Sequence, residues 1–131
     1  MSKGGTTEAA FKQFEKQQYL NVETFRKNGQ GIKTPVWFVR DGEALQVWTQ
    51  AGSGKAKRIR NNSTVRVAPS TASGEPTGDW QDAHAKTDES PESIKHVETL
   101  MKKKYGAMFY IFGFIGRMRG GAKYTAIKIQ T

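Results

Sequence analysis

Short stretches in which apolar and polar residues alternate are spread along the chain, and this alternation predicts β-strands. Asn28-Gly29 and Asp41-Gly42 are turn signals that predict short hairpin connections between the first three strands. These three strands are therefore expected to form an antiparallel meander. The six predicted strands cover residues 19–26, 31–40, 43–50, 64–70, 80–87 and 124–129.

Two or three helices are predicted beside these strands. Phe11 and Phe14 are three residues apart and would share one face of a short helix. Ser90-Pro91 favours a helix start, with serine at the cap and proline at the first helical position. The predicted helices cover residues 8–18, 55–62 and 91–106.

This order of elements predicts a mainly β fold with flanking helices. Six strands and a few helices are typical of a closed or nearly closed antiparallel barrel with its helices outside. The chain has 131 residues, and neither a repeat nor a long internal linker divides it, so 1–131 is expected to be a single domain. No element is assigned to 108–121, which is apolar and rich in glycine.

The composition narrows the classes of function. Cysteine is absent, which excludes disulfides, thiolate metal sites and a cysteine nucleophile. The two histidines make a histidine-rich metal site unexpected, and no metal is predicted. No apolar run approaches the roughly 18 residues of a membrane-spanning helix, and no signal peptide is visible, so the expected location is the cytoplasm. A net charge of +9 favours an anionic partner, either nucleic acid, anionic lipid or a phosphorylated cofactor.

The segment 47–60 is the most informative for chemistry. A strand ends in a loop of small residues that leads into a helix start, where free N–H groups can bind anionic oxygens. Gly52 and Gly54 permit close backbone approach, and Ser53 can donate a hydroxyl hydrogen bond. The spacing is not that of an NTP-binding P-loop, and a solvated basic helix explains the segment equally well. Positive charge is supplied by Lys55, Lys57 and Arg58.

Four short motifs follow one another along the chain: Thr34-Pro35-Val36-Trp37, Val47-Trp48-Thr49, Ser53-Gly54-Lys55 and Lys57-Arg58. In this order they resemble the pyridoxamine 5′-phosphate oxidase-like split-barrel superfamily, and within it the F420-dependent oxidoreductases. The resemblance runs from about Tyr19 to Tyr105. Lys104-Tyr105-Gly106, placed after an amphipathic helix, also fits that superfamily.

The resemblance implies a six-stranded antiparallel split barrel of the FMN-binding type that forms a homodimer, with a cofactor groove at the dimer interface. It implies that the edge of the flavin or deazaflavin ring is lined by Thr34, Pro35, Val36 and Trp37. Trp48 and Thr49 would lie close to the side chain of the cofactor. Its phosphate would be held by Ser53, Gly54, Lys55, Lys57 and Arg58.

The resemblance also implies an activity. The expected cofactor is coenzyme F420, with FMN as the alternative, because the F420 branch binds an oligoglutamate tail in a basic channel and the charge of +9 suits a polyanion. The reduced deazaflavin would pass a hydride to a small organic electrophile such as an enone, a quinone, a tetrapyrrole or a nitro compound. The sequence indicates no catalytic residue, and the cofactor would carry the difficult chemistry.

Three alternatives to this activity remain open. The first is an FMN-dependent oxidase or reductase on the same fold. The second is a cofactor-binding or storage protein without catalysis. The third is a nucleic-acid-binding barrel, ranked last because the basic residues cluster after Gly52-Ser53-Gly54 instead of interleaving with aromatic residues on a strand face.

Other residues carry two interpretations each. Trp37 and Trp48 either belong to the barrel core or form a wall against the flavin ring. Trp80 either lines the substrate end of the pocket or caps the barrel. His84 and His96 are expected at the surface, because no partner that would make either a general base is visible.

Two further segments are also notable for their composition. The consecutive cations Lys102, Lys103 and Lys104 are expected to be a solvated last helical turn that complements the helix dipole. The stretch 109–119 mixes aromatic residues, glycine and arginine, which could cover the substrate pocket, touch a membrane surface or pack in a dimer interface. Packing in the dimer interface or over the pocket is the preferred expectation.

Overall fold

The structure of the chain, a computed structural model, describes residues 11–109 and 123–131. The elements in chain order are a 3-10 helix Lys12–Phe14, β1 Tyr19–Phe25, β2 Gly31–Trp37, β3 Val39–Asp41, β4 Ala44–Gln50, α1 Gly54–Asn61, β5 Thr64–Ser70, β6 Gln81–Asp88, α2 Pro91–Tyr105 and β7 Tyr124–Gln130. Most predicted elements therefore form within one or two residues of their expected bounds.

The strands form one antiparallel sheet in the order β2-β1-β5-β6-β7-β4-β3. The two edge strands, β2 and β3, are consecutive in the chain and are separated only by Phe38. Because only one residue connects these two edge strands, they must lie close together, and the sheet curls into a half-barrel. The predicted mainly β fold with flanking helices is confirmed.

The predicted strand 31–40 is interrupted at Phe38. The Phe38 N–H donates to the Tyr105 hydroxyl at 3.0 Å, and the Phe38 carbonyl oxygen accepts from Lys104 Nζ at 2.8 Å. With these backbone groups bound to side chains, strand pairing stops there. The described residues thus hold seven strands where six were predicted. Both predicted hairpins form, because β2 pairs with β1 and β3 pairs with β4. The continuous three-stranded meander does not form, because the break at Phe38 places the two hairpins at opposite edges of the sheet.

The barrel interior is apolar. Buried side chains cover it near the start of β1 and near the end of β1. Near the start of β1, Phe14 makes edge-to-face contacts with Phe11 and Phe38, each with ring centroids 5.8 Å apart. At the other end, Ile59 of α1 joins the same buried cluster. Strand residues in this cluster include Leu20, Val22, Leu45, Val47, Val65, Val67, Ile127 and Ile129.

The first predicted helix, 8–18, is largely wrong. In its described part only the 3-10 turn Lys12–Phe14 forms, while residues 8–10 lie outside the described residues. The common face of Phe11 and Phe14 is nevertheless confirmed, since both side chains are buried.

A second buried cluster lies on the outer face of the sheet, under α2. Ser90 caps this helix, with its Oγ accepting from the Ser93 N–H at 3.3 Å, and Pro91 occupies the first turn as predicted. The helix ends at Gly106, whose φ of +59° suits glycine. The cluster contains Val39, Val97, Met101, Phe109 and Ala126, with Trp37, Trp48, Leu100 and Tyr105 packed against it.

None of the helices in the described part of the chain combines the length and the apolar character that a membrane crossing requires. Of the stretch 109–119, only Phe109 belongs to the described residues, and it is buried beside Trp48. The expected role of the remainder, 110–119, lies outside the described residues.

Candidate anion-binding site

The N-terminus of α1 has free backbone N–H groups, and the first residue of the helix is a glycine, Gly54. Ser53 is the cap, and its Oγ accepts from the Ala56 N–H at 3.3 Å. The first turn contains no acidic residue, so nothing on the helix neutralises its positive end. Gly54 opens the helix, and a Cβ added there would lie 2.7 Å from Arg58 Nη1. The Arg58 guanidinium therefore folds back over Gly54, at the helix N-terminus.

Two cations of α1, Lys55 and Arg58, lie at this place. A third, Arg26, directly follows β1 and is near enough for its charge to act on Arg58. Arg58 is held against the barrel by its Nε, which donates to Thr24 Oγ1 at 2.6 Å. Thr24 is a buried residue of β1. We call Lys55, Arg58 and Arg26 the cation cluster. Within residues 11–109 and 123–131, none of the three forms an ion pair with a carboxylate.

The electrostatics of the cation cluster favour an anion. Burial lowers the pKa of Lys55, and the neighbouring Arg58 lowers it further. Burial also lowers the pKa of Arg58, with a second contribution from the charge of Arg26. Both effects disfavour the charged forms, because the cations lose water and repel one another. A bound phosphate would compensate for the lost water and the repulsion alike, so the described residues fit a phosphorylated ligand.

Four of the predicted phosphate residues, Ser53, Gly54, Lys55 and Arg58, come together in this way. Lys57 does not join them. It is exposed, and in a helix of 3.6 residues per turn it points about 200° away from Lys55.

Sequence reasoning missed Arg26 and Thr24. Both stand about 30 residues before α1, and the contact depends on how α1 packs across β1. The sequence contained only a weak indication of these two residues. Arg26 is the last residue of a predicted strand, and Thr24 lies in the same alternation as the interior residues Leu20 and Val22.

The four residues predicted to line the ring do not share one face of β2. Val36 packs against the barrel core, whereas Trp37 belongs to the cluster under α2. Pro35 lies beside the loop at Gly74, where an added Cβ would be 3.7 Å from the proline ring. Thr34 is partly buried opposite Val22 of β1. Only alternate members of this set can therefore face a common ligand.

Neither Trp37 nor Trp48 lies in the barrel core. Trp37 stacks on Tyr105, with ring centroids 4.2 Å apart and an interplanar angle of 5°. Trp48 stacks on Tyr124 at 4.4 Å, and its buried Nε1 has no hydrogen-bond partner among the described residues. The barrel-core interpretation is wrong for both rings. Thr49 follows Trp48 on β4, opposite Thr125 of β7 and four residues before the α1 cap.

Lys104 is exposed in the last turn of α2 as expected, but its ammonium group also makes specific contacts. Its Nζ lies 3.6 Å from the centroid of the Phe38 ring and donates to the Phe38 carbonyl oxygen. Burial lowers the pKa of Lys104 to about 8. The adjacent Tyr105 hydroxyl lies 2.6 Å from the Gln18 carbonyl oxygen and 2.7 Å from that of Phe38, and burial raises its pKa.

Trp80 is partly exposed, and its ring contacts two cations, Lys33 and Arg66, whose charged groups lie 5.2 Å and 5.4 Å from the ring centroid. Arg66 also faces Glu23 at 3.4 Å and Asp82 at 3.7 Å. These carboxylates reduce the positive charge of that face, which argues against a nucleic-acid interface there.

The two histidines lie at the surface as predicted. His84 is exposed on β6, opposite Thr64 of β5. His96 is exposed on α2, but its Nε2 lies 3.1 Å from Asp41 Oδ2.

Comparison of the sequence with protein-family models and with curated proteins gives no match. Comparison of the structure with solved protein structures gives many matches. The heme storage protein HutZ from Vibrio cholerae is 18% identical, with a TM-score of 0.69, over 96% of this chain and 90% of its own. A putative pyridoxamine 5′-phosphate oxidase from Listeria innocua is 14% identical, with a TM-score of 0.63, over 94% and 90%. An F420 reductase is 16% identical, with a TM-score of 0.59, over 98% and 94%.

The class that these comparisons define is the split β-barrel. More particularly, the chain shares the fold of the heme storage protein, the putative pyridoxamine 5′-phosphate oxidase and the F420 reductase just named. At these identities the likeness concerns the fold alone.

Proposed function

We propose that this chain binds a flavin-type cofactor through the cation cluster and uses it as an oxidoreductase. The observation that carries the proposal is the convergence of Lys55, Arg58 and Arg26 at the start of α1, without a described carboxylate partner. Cations that are partly desolvated and mutually repelling indicate an anionic ligand. On a flavin-type cofactor, that anion is the phosphate.

The roles of the residues around the phosphate follow from their geometry. Lys55 supplies an ammonium group, and Arg58 supplies a guanidinium whose position is fixed by Thr24. Gly54, which has no side chain, leaves room for the Arg58 guanidinium to lie at the helix start. The Ser53 hydroxyl already accepts the capping bond, so it has one proton left to donate to a phosphate oxygen. Lys57 raises the local potential from the far side of the helix.

The ring of the cofactor would lie beyond the phosphate, next to the outward-facing residues of β2 and β4. Trp37 and Trp48 lie on the outer face of these strands, partly buried under α2 and each fixed by stacking on a tyrosine. The groove would be completed by a second copy of the chain in a homodimer. When bound in reduced form, the cofactor supplies a hydride to an electrophilic carbon of a small substrate such as an enone, a quinone, a tetrapyrrole or a nitro compound. The protein binds, orients and excludes water.

F420 is proposed ahead of FMN because of charge. The chain carries +9, more than a single phosphate needs, and the oligoglutamate tail of F420 adds several carboxylates. Electrostatic attraction of such a polyanion would be strong and sensitive to salt.

Titration of the purified apo protein with F420 and with FMN, followed by tryptophan fluorescence, tests the binding step. Tight quenching by F420 and weak quenching by FMN is the expected result. Preference for FMN would assign the chain to the FMN branch of the proposal, and absence of a response to both would overturn it. Turnover is tested by following the oxidation of reduced F420 in the presence of an enone, a quinone and a nitro compound. Binding without oxidation by any acceptor would favour a storage role.

A further inference from the structure

A pocket of about 470 Å³ lies at the end of the half-barrel where β1 begins. It is bounded by the segment before β1, by β3 and by the second half of α2, whose Tyr105 hydroxyl donates to the Gln18 carbonyl oxygen just before β1. We call it the Lys104 pocket. The cation cluster lies near the other end of β1, roughly 20 Å away at about 3.3 Å per strand residue. The inference drawn from this pocket therefore does not rest on the proposed cofactor.

The interior of the Lys104 pocket is mainly apolar. Its floor is formed by Phe14, Phe38 and Val39, which are almost completely buried, and Leu100 of α2 is partly exposed beside them. The aliphatic stems of long cationic side chains extend the walls. An apolar group placed in the pocket would be removed from water on several sides, which favours a ligand with an apolar body.

Four cations surround this apolar interior: Lys16 from the segment before β1, Arg40 from β3, and Lys103 and Lys104 from α2. The three lysines are exposed, so a ligand can reach them from solvent. Within residues 11–109 and 123–131, none of the four cations forms an ion pair, and Glu15 is the single carboxylate among the described lining residues. This excess of positive charge favours an anionic ligand.

Lys104 brings its charge directly against the floor of the pocket. Its Nζ donates to the Phe38 carbonyl oxygen at 2.8 Å and lies 3.6 Å from the centroid of the Phe38 ring. An ammonium group has three N–H donors, so this bond leaves two for a ligand. The pKa of Lys104 is lowered to about 8 because the ammonium loses water on burial. A carboxylate in the pocket would accept from this ammonium and compensate for the lost water.

Lys16 has an unusual backbone conformation. Its φ is +63°, and among the described residues it is the one non-glycine residue with a positive φ. Glycine adopts this left-handed region without the steric cost that a lysine incurs. A strained residue of this kind at the edge of a pocket indicates that its side chain has a role there. The role that its chemistry fits is that of a second cation for the anion.

We propose that the Lys104 pocket binds a carboxylate with an apolar body, of the aryl or medium-chain acid type. The carboxylate accepts a hydrogen bond from Lys104 Nζ, and the other three cations of the pocket add positive charge around it. The apolar part lies against Leu100 and the floor. The ligand is thus recognised by its charge and its apolar body together, and neither part alone is sufficient.

The probes are phenylacetate and octanoate, each with its amide as a matched control that has the same apolar body and no charge. Acetate is the control that has the charge and no apolar body. Binding is measured by calorimetric titration and by the rise in melting temperature with ligand concentration. At least one of the two acids is expected to bind, with its amide and acetate at least about tenfold weaker. Binding of neither acid, or equal binding of the amide or of acetate, would overturn the proposal.

Two variants locate the site. Lys104→Met should weaken binding of the acid at least about tenfold, whereas Lys95→Met should leave it almost unchanged. Lys95 is an exposed residue of the same helix, and its position nine residues before Lys104 is about 180° away around the helix axis. If Lys104→Met does not fold, Lys16→Gly gives the same test, because glycine adopts the positive φ readily. Equal weakening in Lys104→Met and Lys95→Met, or unchanged binding in the folded pocket variants, would refute the assignment.

Competition with the proposed cofactors separates the two sites. Lys55→Met, in the cation cluster, should leave binding of the acid unchanged. FMN and F420 should not displace the bound acid, and displacement by either would make the pocket a part of the cofactor site and overturn a separate one. Failure of FMN and F420 to bind at all would overturn the proposed function and leave this inference standing.

Discussion

Lys55 and Lys57 are two residues apart on one short helix, yet the structure gives them different roles. Lys55 is partly buried beside Arg58 and has a lowered pKa, whereas Lys57 is exposed on the other side of α1. Lys55→Met and Lys57→Met remove the same charge from nearly the same place in the sequence. They therefore separate a direct contact with phosphate from a general effect of net charge.

The expected size of the effect follows from the contact that is lost. A hydrogen bond to a charged group contributes about 1.5–3 kcal/mol. Loss of the Lys55 ammonium should weaken cofactor binding roughly 10- to 150-fold, since each 1.4 kcal/mol is about a factor of ten. Lys57→Met should weaken it only a few fold, because a solvated charge near the surface is screened. The free energy of unfolding of the apo protein should not fall in Lys55→Met, because the variant removes a desolvated cation next to another cation.

Affinity is measured by the titration with F420 and FMN, and stability by urea unfolding of the apo variants. Similar losses of affinity in the two variants would mean that only net charge matters. A loss of stability in Lys55→Met without a loss of affinity would make Lys55 a structural residue. Either result would refute the assignment of the cation cluster to the phosphate.

Three other predictions concern neighbouring features. Gly54→Ala should displace the Arg58 guanidinium, weaken cofactor binding and leave the melting temperature unchanged or higher, because alanine favours a helix; unchanged affinity would exclude Arg58 as a phosphate ligand. Tyr105→Phe leaves the Phe38 N–H without its acceptor and should lower the free energy of unfolding by about 1–3 kcal/mol in urea, a reduction that would be missing if the strand closed over the gap. Lys104 binds its proton more weakly in the folded chain than in the unfolded chain, so its contribution to stability should increase from pH 8 to 10.5; the stability of the wild type relative to Lys104→Met should rise over this range, and parallel curves would contradict the lowered pKa.

Local features of the fold could be predicted because they depend on neighbouring residues. The strand Thr64–Ser70 and the cap at Ser90-Pro91 follow from alternation and from capping chemistry, and both form as predicted. The hairpin at Asn28-Gly29 also forms, with the positive φ at Gly29. The strand, the helix cap and the hairpin each depend on residues that are only a few positions apart in the sequence.

The break at Phe38 could not be predicted in this way. It is stabilised by Lys104 and Tyr105, which are 66 and 67 residues away in the chain. For the same reason the candidate site was found only in part. Its α1 residues have a local signature, whereas Arg26 and Thr24 join it through the packing of β1 against α1.

The division of one predicted strand into β2 and β3 also determines how well the edges of the sheet can pair with a strand of another molecule. Exposed edge strands can recruit strands from other molecules and so promote aggregation. Here β3 is only three residues long, and β2 carries Pro35, which has no N–H to donate, together with the exposed Lys33. Neither edge is a long, flat template for a further strand. If two copies of this chain associate, pairing of these edge strands into one continuous sheet is therefore not the expected mode of association.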